Sequence, residues 1–341
     1  MNLYRLLKIV TKIKSPRIKL FGLWGMHLFR RRYIGVLLDP VMACNLRCRM
    51  CYMSAGDNNV GASKNVTMDE AALSYIAETF FPHALKLQIG CATEPTLYKS
   101  LPNIVSEANK RGVPYISITT NGQLLTEPLL YDMIRNGLNE VTLSVHGFDK
   151  DIYEDMMRGA RFDRFLSLLS TLKKAKSDYP EFKLRINYVI NNDNVESLGK
   201  MFDVLDGLIP DVIQLRPIQK LGDSSYNDFS HDKIISKYEK IIVPIVDRCR
   251  KEGTICLAPS LDNLGKYTGE YDPMADYLEK ATYYYLSPEG SNKKGLRWLE
   301  DSFREYHKRE KTAQKMWKAI WRPLKISTER RSTRKLNYEI K

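Results

Sequence analysis

The stretch VMACNLRCRMCYMS, residues 41–54, places Cys44, Cys48 and Cys51 on one short segment. It follows YIGVLLDPV, an apolar run at 33–41 that is typical of a buried strand. Thiols at intervals of four and three residues can surround a metal centre from one side. The segment therefore predicts a metal site at the end of the first strand.

Two kinds of metal centre remain open for such a triplet. Structural zinc takes four ligands, usually in two pairs, and no second pair with suitable spacing follows in this sequence. An iron–sulfur cube held by three cysteines would keep one iron without a protein ligand. Such an open iron is useful only where a molecule from outside the protein binds to it.

Downstream of the triplet, short β-like runs alternate with longer helical runs. The predicted strands cover 33–41, 84–90, 114–120, 139–145, 182–190 and 211–218, and the predicted helices cover 67–80, 100–112, 127–137, 162–179, 194–208 and 232–251. Six βα units in series are typical of parallel strands joined by right-handed crossovers. We therefore expect an α/β fold, a partial (β/α)6 TIM-like barrel of parallel strands, with its site in the loops after the strands.

Local signals refine this prediction. Thr67 and Glu70 have the spacing of a capping box for the helix at 67–80. The run TICLAPSL at 254–261 is a candidate for one more strand, whereas ATYYYLSPEGSNKKG at 281–295 is predicted to be a loop. We expect three parts: a basic amphipathic segment at 1–32, the partial barrel at 33–256, and a basic, mostly helical extension at 257–341.

Composition and charge limit the class of protein. The chain of 341 residues is 43% hydrophobic and 27% charged, which is typical of a globular protein. Its six cysteines do not have the spacing of a secreted disulfide framework, and neither a transmembrane run nor a secretory signal is recognisable. A cytoplasmic location is expected.

The spacing C-x3-C-x2-C after a first strand resembles that of the radical S-adenosylmethionine (SAM) superfamily. Three further stretches carry the resemblance because they follow the next strands in matching order: GCATEP at 90–95, TTNG at 119–122 and SVHGFDKDIYEDMMRG at 144–159. The resemblance extends over residues 34–220. Two departures concern loop shape: Met50 stands where the family commonly has an aromatic residue, and GCATEP interrupts the family's double glycine.

The resemblance implies an enzyme in which Cys44, Cys48 and Cys51 hold a 4Fe–4S cluster and SAM occupies the open iron. In that family the reduced cluster passes one electron to SAM, and a 5′-deoxyadenosyl radical then removes a hydrogen atom from substrate. An electron donor such as flavodoxin or ferredoxin is implied. The spacing of Cys249 and Cys256 does not match the cysteine-rich C-terminal extension of many peptide-modifying relatives.

The same resemblance suggests contacts to SAM, each with a structural alternative. Glu94 would accept hydrogen bonds from the SAM ammonium group, or it caps the next helix. Ser144 would touch the ribose, or it bonds a neighbour, and Arg158 would pair with the SAM carboxylate or lie on the surface. Asn187 is expected to touch the ribose or the carboxylate. Cys91, at the mouth of the site, is either a reactive thiol or a small buried side chain.

The period of the fifth predicted strand separates two faces. Arg185 and Asn187 share the face expected to point into the barrel, because polar residues there are hard to explain as packing. The other face, expected to pack under the helices, carries Leu184, Ile186, Tyr188 and Ile190. Thr120 and Asn121 end the third strand and either shape its loop or touch SAM.

The two ends of the chain carry its positive charge. Residues 1–40 contain nine Lys and Arg against one acid, and residues 304–341 contain thirteen against four, which leaves −4 of the total +13 for the body. One face of the first segment carries Leu3, Leu6, Leu7 and Val10, the stretch KLFGLWGMHLFRRR carries Phe21, Trp24 and Phe29, and a C-terminal stripe consists of Trp317, Ile320, Trp321 and Leu324. Such ends either pack on the barrel with solvated basic backs or contact the inner face of a membrane. Nucleic acid is disfavoured because no RNA-binding motif is present.

These observations predict a radical SAM enzyme acting on an unidentified substrate, either a small metabolite or a lipid-linked molecule near a membrane. A ribosomal peptide is the weaker third substrate class. The competing hypothesis is a zinc-bearing adaptor without catalytic activity that binds membrane or RNA through its basic ends.

Overall fold

The computed structural model describes residues 12–54, 66–220, 224, 226–264, 273–322 and 339–340. The strands are β1 Ile34–Leu38, β2 Ala84–Ile89, β3 Ile116–Thr120, β4 Glu140–Val145, β5 Lys183–Ile190, β6 Val212–Pro217, β7 Ile255–Ala258, β8 Tyr283–Ser287, β9 Gly290–Ser291 and β10 Glu339–Ile340. The helices are α1 Pro16–Leu28, α2 Glu70–Thr79, α3 Leu101–Lys110, α4 Glu127–Arg135, α5 Lys150–Met156, α6 Phe162–Asp178, α7 Met201–Leu205, α8 Asp232–Ser236, α9 Val243–Glu252, α10 Pro273–Thr282, α11 Phe303–Arg309 and α12 Thr312–Trp321.

The described strands form one curved sheet in the order β10-β7-β6-β5-β4-β3-β2-β1-β8-β9. Strands β1 to β8 are parallel to their neighbours, and β9 and β10 pair antiparallel at the two ends. The predicted α/β class with a partial barrel is confirmed. The sheet is wider than six strands because β7 extends it beside β6 and β8 extends it beside β1.

Strand β8 contradicts one prediction. Residues 283–287 lie within the stretch expected to be a loop, yet they pair with β1 from Gly35↔Tyr283 to Leu38↔Leu286. Three consecutive tyrosines favour a strand, and Tyr284 and Leu286 are buried beneath the outer helices. Pro288 and Glu289 form the tight turn into β9, which explains why this part of the sequence resembles a loop.

Three predicted helices differ from the structure. The predicted helix at 232–251 is divided into α8, a π-helical turn Tyr238–Ile242 and α9. Helix α2 begins at Glu70 after an Asp69 cap, whose side chain accepts a hydrogen bond from the Ala72 amide at 2.7 Å. The predicted capping box from Thr67 is therefore wrong, since Thr67 lies outside the helix in a bridge to Val41. The predicted helix at 194–208 is a 3-10 turn, Ser197–Lys200, followed by the short α7.

The core lies between the outer face of the sheet and the helices. Leu184, Ile186, Tyr188 and Ile190 of β5 are all fully buried, which confirms the prediction for that face. Phe148 stacks on Tyr188 with ring centroids 5.6 Å apart. The residues between them on β5 face the other way, so the inner face of the sheet carries the polar side chains.

The basic ends are partly described. Helices α1 and α12 pack together, with the rings of Trp24 and Trp317 4.7 Å apart. Ile320 is buried, whereas Trp321 is 63% exposed, so the predicted single stripe is divided between two faces of α12. Leu3, Leu6, Leu7, Val10 and Leu324 lie outside the described residues. Within the described part of the chain, no helix has both the length and the apolar character needed to cross a bilayer.

A pair of leucine substitutions tests where the core lies. Leu143→Ala on β4 removes a fully buried side chain and is expected to lower the free energy of unfolding by ~2–5 kcal/mol. Leu166→Ala, at a position 41% exposed on α6, is expected to change it by less than ~1 kcal/mol. Urea denaturation measures both, and equal losses in the two variants would contradict this assignment of the core.

Candidate active site

The cysteine loop, residues 43–51, lies at the carboxyl end of β1. Cys44, Cys48 and Cys51 are partly buried free thiols. The Cys51 amide donates to the Cys48 carbonyl at 3.1 Å, which makes a tight turn between the last two cysteines. The three predicted ligands therefore lie on one short loop at the end of the barrel where parallel-barrel sites occur.

Backbone hydrogen bonds from neighbouring loops hold the cysteine loop. The Arg47 amide donates to the Arg158 carbonyl at 2.9 Å, and the Arg49 amide donates to the Met156 carbonyl at 3.0 Å. The Glu94 amide donates to the Ala43 carbonyl at 3.0 Å. The loops after β2 and β4 thus fix the backbone on which the thiols stand.

Side chains complete this support. The Arg49 guanidinium forms ion pairs with Asp155 after β4 and with Asp193 after β5. Asn191, also after β5, lies with its amide nitrogen 2.8 Å from the Met50 sulfur. Met50 packs with the buried cluster of Met156, Ile218 and Tyr226. The residue that departs from the family pattern therefore fills an apolar gap beside the third cysteine.

Glu94 is buried behind the cysteine loop, with only 2% of its surface exposed. One carboxylate oxygen accepts from the Thr96 amide at 3.1 Å, from the Thr96 hydroxyl at 2.6 Å and from the Thr120 hydroxyl at 2.7 Å. The other accepts from the Asn121 amide at 2.8 Å. Burial raises the pKa of Glu94, against these hydrogen bonds, which favour the charged form. Of the two roles considered for Glu94, the structure has the helix cap: Glu94 caps the 3-10 helix Pro95–Leu97 and joins the ends of β2 and β3.

Asp39 is a site residue that sequence reasoning did not single out. Its fully buried carboxylate accepts from the Cys91 amide at 2.7 Å, the Ala92 amide at 3.1 Å, the Thr93 hydroxyl at 3.0 Å and the Tyr285 hydroxyl at 2.8 Å. It therefore determines the shape of the loop in which the family's double glycine is interrupted. The available signal was a lone acid directly after the apolar strand YIGVLL.

Gly90 makes the sharp exit from β2. Its φ is +81°, and a Cβ there would lie 2.3 Å from the Thr119 carbonyl oxygen. Only glycine fits such an approach. The turn brings residues 91–94 back towards β1, where Asp39 binds them.

Thr120 and Asn121 have defined contacts. The Thr120 hydroxyl binds Glu94, and the Asn121 side-chain nitrogen lies 2.8 Å from the Asn45 oxygen and 4.0 Å from the Cys44 sulfur. The Leu46 amide lies 3.4 Å from the same sulfur. Both donors would stabilise negative charge on Cys44.

Ser144 and Asn187 lie side by side in the sheet register, with Gln214 next in the row. The Asn187 side-chain oxygen is buried and has no hydrogen-bond partner in the described part of the chain. Buried polar atoms are normally paired, so this oxygen is available to a ligand. The predicted SAM contacts of Ser144 and Asn187 stay predictions, and the two residues are neighbours in the sheet.

Arg158 is connected to the site through its backbone. Its carbonyl binds the cysteine loop, whereas its side chain is exposed. Arg185 lies one register row below Asn187, with its side-chain nitrogen 3.6 Å from the Glu140 carboxylate. Glu140 is buried and also accepts from the Tyr115 hydroxyl at 2.7 Å. Arg185 therefore forms an ion pair with Glu140 on the inner face of the sheet, near the base of the barrel.

The three thiols provide a donor set that an iron–sulfur cluster can use. Burial raises the pKa of Cys44 to about 11 and raises that of Cys48 further, so both need a cation to ionise. Among the described residues, no three His, Cys, Asp or Glu side chains are arranged around one metal ion. In a cube each cysteine binds a different iron, so its three sulfurs need not converge on one point. The donor set, three thiols with hydrogen-bond donors beside Cys44, fits the cluster.

The remaining cysteines lie apart from the triplet. Cys91 is exposed at the loop bound by Asp39, with its sulfur 4.0 Å from the Gln88 side-chain nitrogen. Cys249 and Cys256 are buried in the core at α9 and β7.

The fold and the site define a parallel partial barrel with a three-thiol loop after its first strand. Residues 40–205 match the Radical SAM superfamily, so this chain carries a radical SAM domain. Members of that superfamily use a 4Fe–4S cluster and SAM, the two cofactors expected from the resemblance.

Relatives agree with this assignment, and solved structures agree with the fold. The chain is 27% identical over 205 residues to a probable GTP 3′,8-cyclase of Saccharolobus islandicus and 28% identical over 206 residues to one of Saccharolobus solfataricus. Each match covers 59% of this chain and 63% of the relative, so the chain spans less than two thirds of their length. SuiB of Streptococcus suis bound to S-adenosylmethionine superposes with a TM-score of 0.60 at 15% identity, over 83% of this chain and 69% of SuiB. The structure of anSMEcpe with bound AdoMet superposes with a TM-score of 0.58 at 15% identity, over 85% of this chain and 84% of anSMEcpe.

Replacing the Glu94 carboxylate tests its structural contacts. Glu94→Gln would turn an amide nitrogen towards groups that donate hydrogen bonds, so we expect a loss of ~1–3 kcal/mol in the free energy of unfolding. Glu78→Gln, on the exposed side of α2, makes the same chemical change and should be neutral. Urea denaturation of both variants measures the difference. An unchanged Glu94→Gln protein would show that these hydrogen bonds do not stabilise the fold.

Proposed function

We propose that this chain reductively cleaves SAM at a 4Fe–4S cluster held by Cys44, Cys48 and Cys51, and that the 5′-deoxyadenosyl radical removes a hydrogen atom from a substrate. The observation that carries the proposal is the set of three free thiols on the loop after β1, held by the loops of β2, β4 and β5. The protein positions the reacting groups and excludes water, and the cofactors supply the electron and the radical.

Residues around the thiols have separate tasks in this proposal. The Asn121 side chain and the Leu46 amide lie beside the Cys44 sulfur, where donors of this kind stabilise a thiolate and raise a cluster's reduction potential. Asn187 and Ser144 would hold polar atoms of SAM on the inner face of β4 and β5. Glu94 would support the site by joining the ends of β2 and β3. Its carboxylate would bind the SAM ammonium group only if that group replaced one of the four hydrogen bonds that Glu94 now accepts.

The inner face of the barrel supports a substrate with a polar group. Gln88 donates to the Thr119 hydroxyl at 3.2 Å, and Lys86, Glu140 and Arg185 lie on the same face nearer the base. A polar small molecule fits such a surface, and so does the polar head of a lipid-linked molecule.

Reduction of the cluster requires an electron carrier. We propose a one-electron donor protein such as flavodoxin or ferredoxin, acting in the cytoplasm. We also propose peripheral contact with the inner face of the membrane through the basic helices at the two ends of the chain.

Removing one thiol tests the ligand assignment. Cys48→Ala is expected to lower bound iron and visible absorption after anaerobic purification, and to reduce 5′-deoxyadenosine formation from SAM and a strong reductant to background. Cys249→Ala removes a thiol from the core and should keep both properties. A Cys48→Ala protein that forms 5′-deoxyadenosine at the normal rate would contradict the proposal, as would a colourless native protein holding stoichiometric zinc.

Asn187→Ala tests the predicted SAM contact. Loss of one hydrogen bond, ~0.5–1.5 kcal/mol, should weaken SAM binding by about three- to tenfold. Asn103→Ala, at an exposed position of α3, serves as the control. Equilibrium dialysis of SAM against the cluster-loaded proteins measures the change, and equal affinities in both variants would remove Asn187 from the SAM site.

A further inference from the structure

A cavity lies at the opposite end of β1 from the cysteine loop. Its volume is about 490 Å³, and its walls come from the end of α1, the residues before β1 and β2, α11 and the start of α12. Tyr33 precedes β1 and His83 precedes β2, so the cavity is at the amino ends of these strands. A ligand bound there would not contact the thiols.

The wall of this cavity is positively charged. Arg30, Arg304, Lys308 and Lys311 line it, and the described residues of the wall include no acid. None of these four side chains makes a hydrogen bond or an ion pair with another described residue, whereas Lys110, Lys174, Lys237 and Arg309 elsewhere on the protein have acidic partners. Unpaired cations around a concave surface attract an anionic ligand.

Histidines form the floor of the cavity. His27 shares a hydrogen bond of 2.9 Å with the Tyr33 hydroxyl, and His307 shares bonds with the Tyr284 and Thr312 hydroxyls at 3.0 and 2.8 Å. His83 stacks on Phe303, and its buried Nδ1 has no partner in the described part of the chain. Burial lowers the pKa of His83 to about 4 and that of His307 to about 3. These rings are therefore neutral near pH 7, and His83 retains a free polar atom for a ligand.

Aromatic side chains lie along α1 and α12, the two helices whose ends form part of the cavity wall. Leu28 is part of the wall and is 46% exposed, and next to it Phe29 is 78% exposed. The rings of Phe21, Trp24, Trp317 and Trp321 form a continuous series across α1 and α12, with neighbouring centroids between 4.7 and 5.7 Å apart. Aromatic and basic side chains in one surface are typical of proteins that lie at a bilayer interface.

We propose that this cavity binds the phosphate group of an anionic phospholipid, with the aromatic side chains of α1 and α12 inserted among the neighbouring headgroups. This site gives the membrane contact proposed above a defined location. The chain's own residues 323–338 are a poorer occupant, because they carry five Lys and Arg against one acid. A nucleic acid would also supply phosphate, but no RNA-binding motif is present in the sequence.

Vesicle binding tests the site. The holoprotein is sedimented with vesicles of equal parts phosphatidylcholine and phosphatidylglycerol, and with vesicles of phosphatidylcholine alone. Lys308→Ala combined with Lys311→Ala should weaken binding to the anionic vesicles by roughly thirtyfold, since each basic residue near an anionic surface contributes ~1 kcal/mol. Lys99→Ala combined with Lys251→Ala removes the same charge from exposed positions elsewhere and should bind nearly as the native protein.

Further measurements distinguish binding of a phospholipid from binding of inorganic phosphate or RNA. Trp321→Ser should weaken binding to anionic vesicles without changing any stabilisation of the protein by inorganic phosphate. Equal vesicle binding by the two double-lysine variants would overturn the proposal. Stabilisation by inorganic phosphate, or binding of an RNA oligonucleotide, in the absence of vesicle binding would overturn it in favour of those ligands. Because 5′-deoxyadenosine formation is measured separately, failure of this proposal leaves the proposed catalytic function unaffected.

Discussion

The site depends on the hydrogen bonds that hold the backbone of the cysteine loop. Three thiols can bind three irons and expose the fourth only if their loop keeps one shape. The amides of Arg47, Arg49 and Glu94 fix that shape, since each joins the cysteine loop to a neighbouring loop through a backbone hydrogen bond. These contacts do not depend on side-chain identity, so the sequence of the loop can vary at Met50 without displacing the sulfurs.

A buried carboxylate organises the other side of the site. Asp39 forms no ion pair with a described cation, and its carboxylate instead accepts hydrogen bonds from two amides and two hydroxyls. An unpaired charge in a protein interior costs several kcal/mol unless it is fully hydrogen-bonded. The hydrogen bonds to Asp39 therefore stabilise one conformation of the loop after β2, although this loop lacks the double glycine of the family pattern. Asp39 and Glu94 together connect β1, β2, β3 and β8 around the thiols.

Sequence reasoning was most accurate where periodicity and burial coincide. The alternation in β5 correctly separated Leu184 and Ile186 from Asn187, because a strand with a buried outer face has only one register. It failed at β8, where three tyrosines followed by a turn sequence gave no alternation, and the partner strand lies about 250 residues earlier in the chain. For Glu94 the sequence offered the helix cap as an alternative, but not its bonds to Thr120 and Asn121 at the end of the next strand, and it did not indicate the four donors of Asp39. Both roles depend on contacts between loops that are distant in the sequence, and local sequence patterns do not predict such contacts.

The bond between Tyr285 and Asp39 has a consequence for biosynthesis. The cysteine loop leaves the ribosome long before residues 283–287 are translated, and until then β1 is an open sheet edge and the Asp39 carboxylate lacks one of its donors. The nascent barrel would therefore remain loosely closed around its thiols while most of the polypeptide is made. The edge of β1 beside the thiols is therefore covered only after the strand at 283–287 has been translated and has joined the sheet.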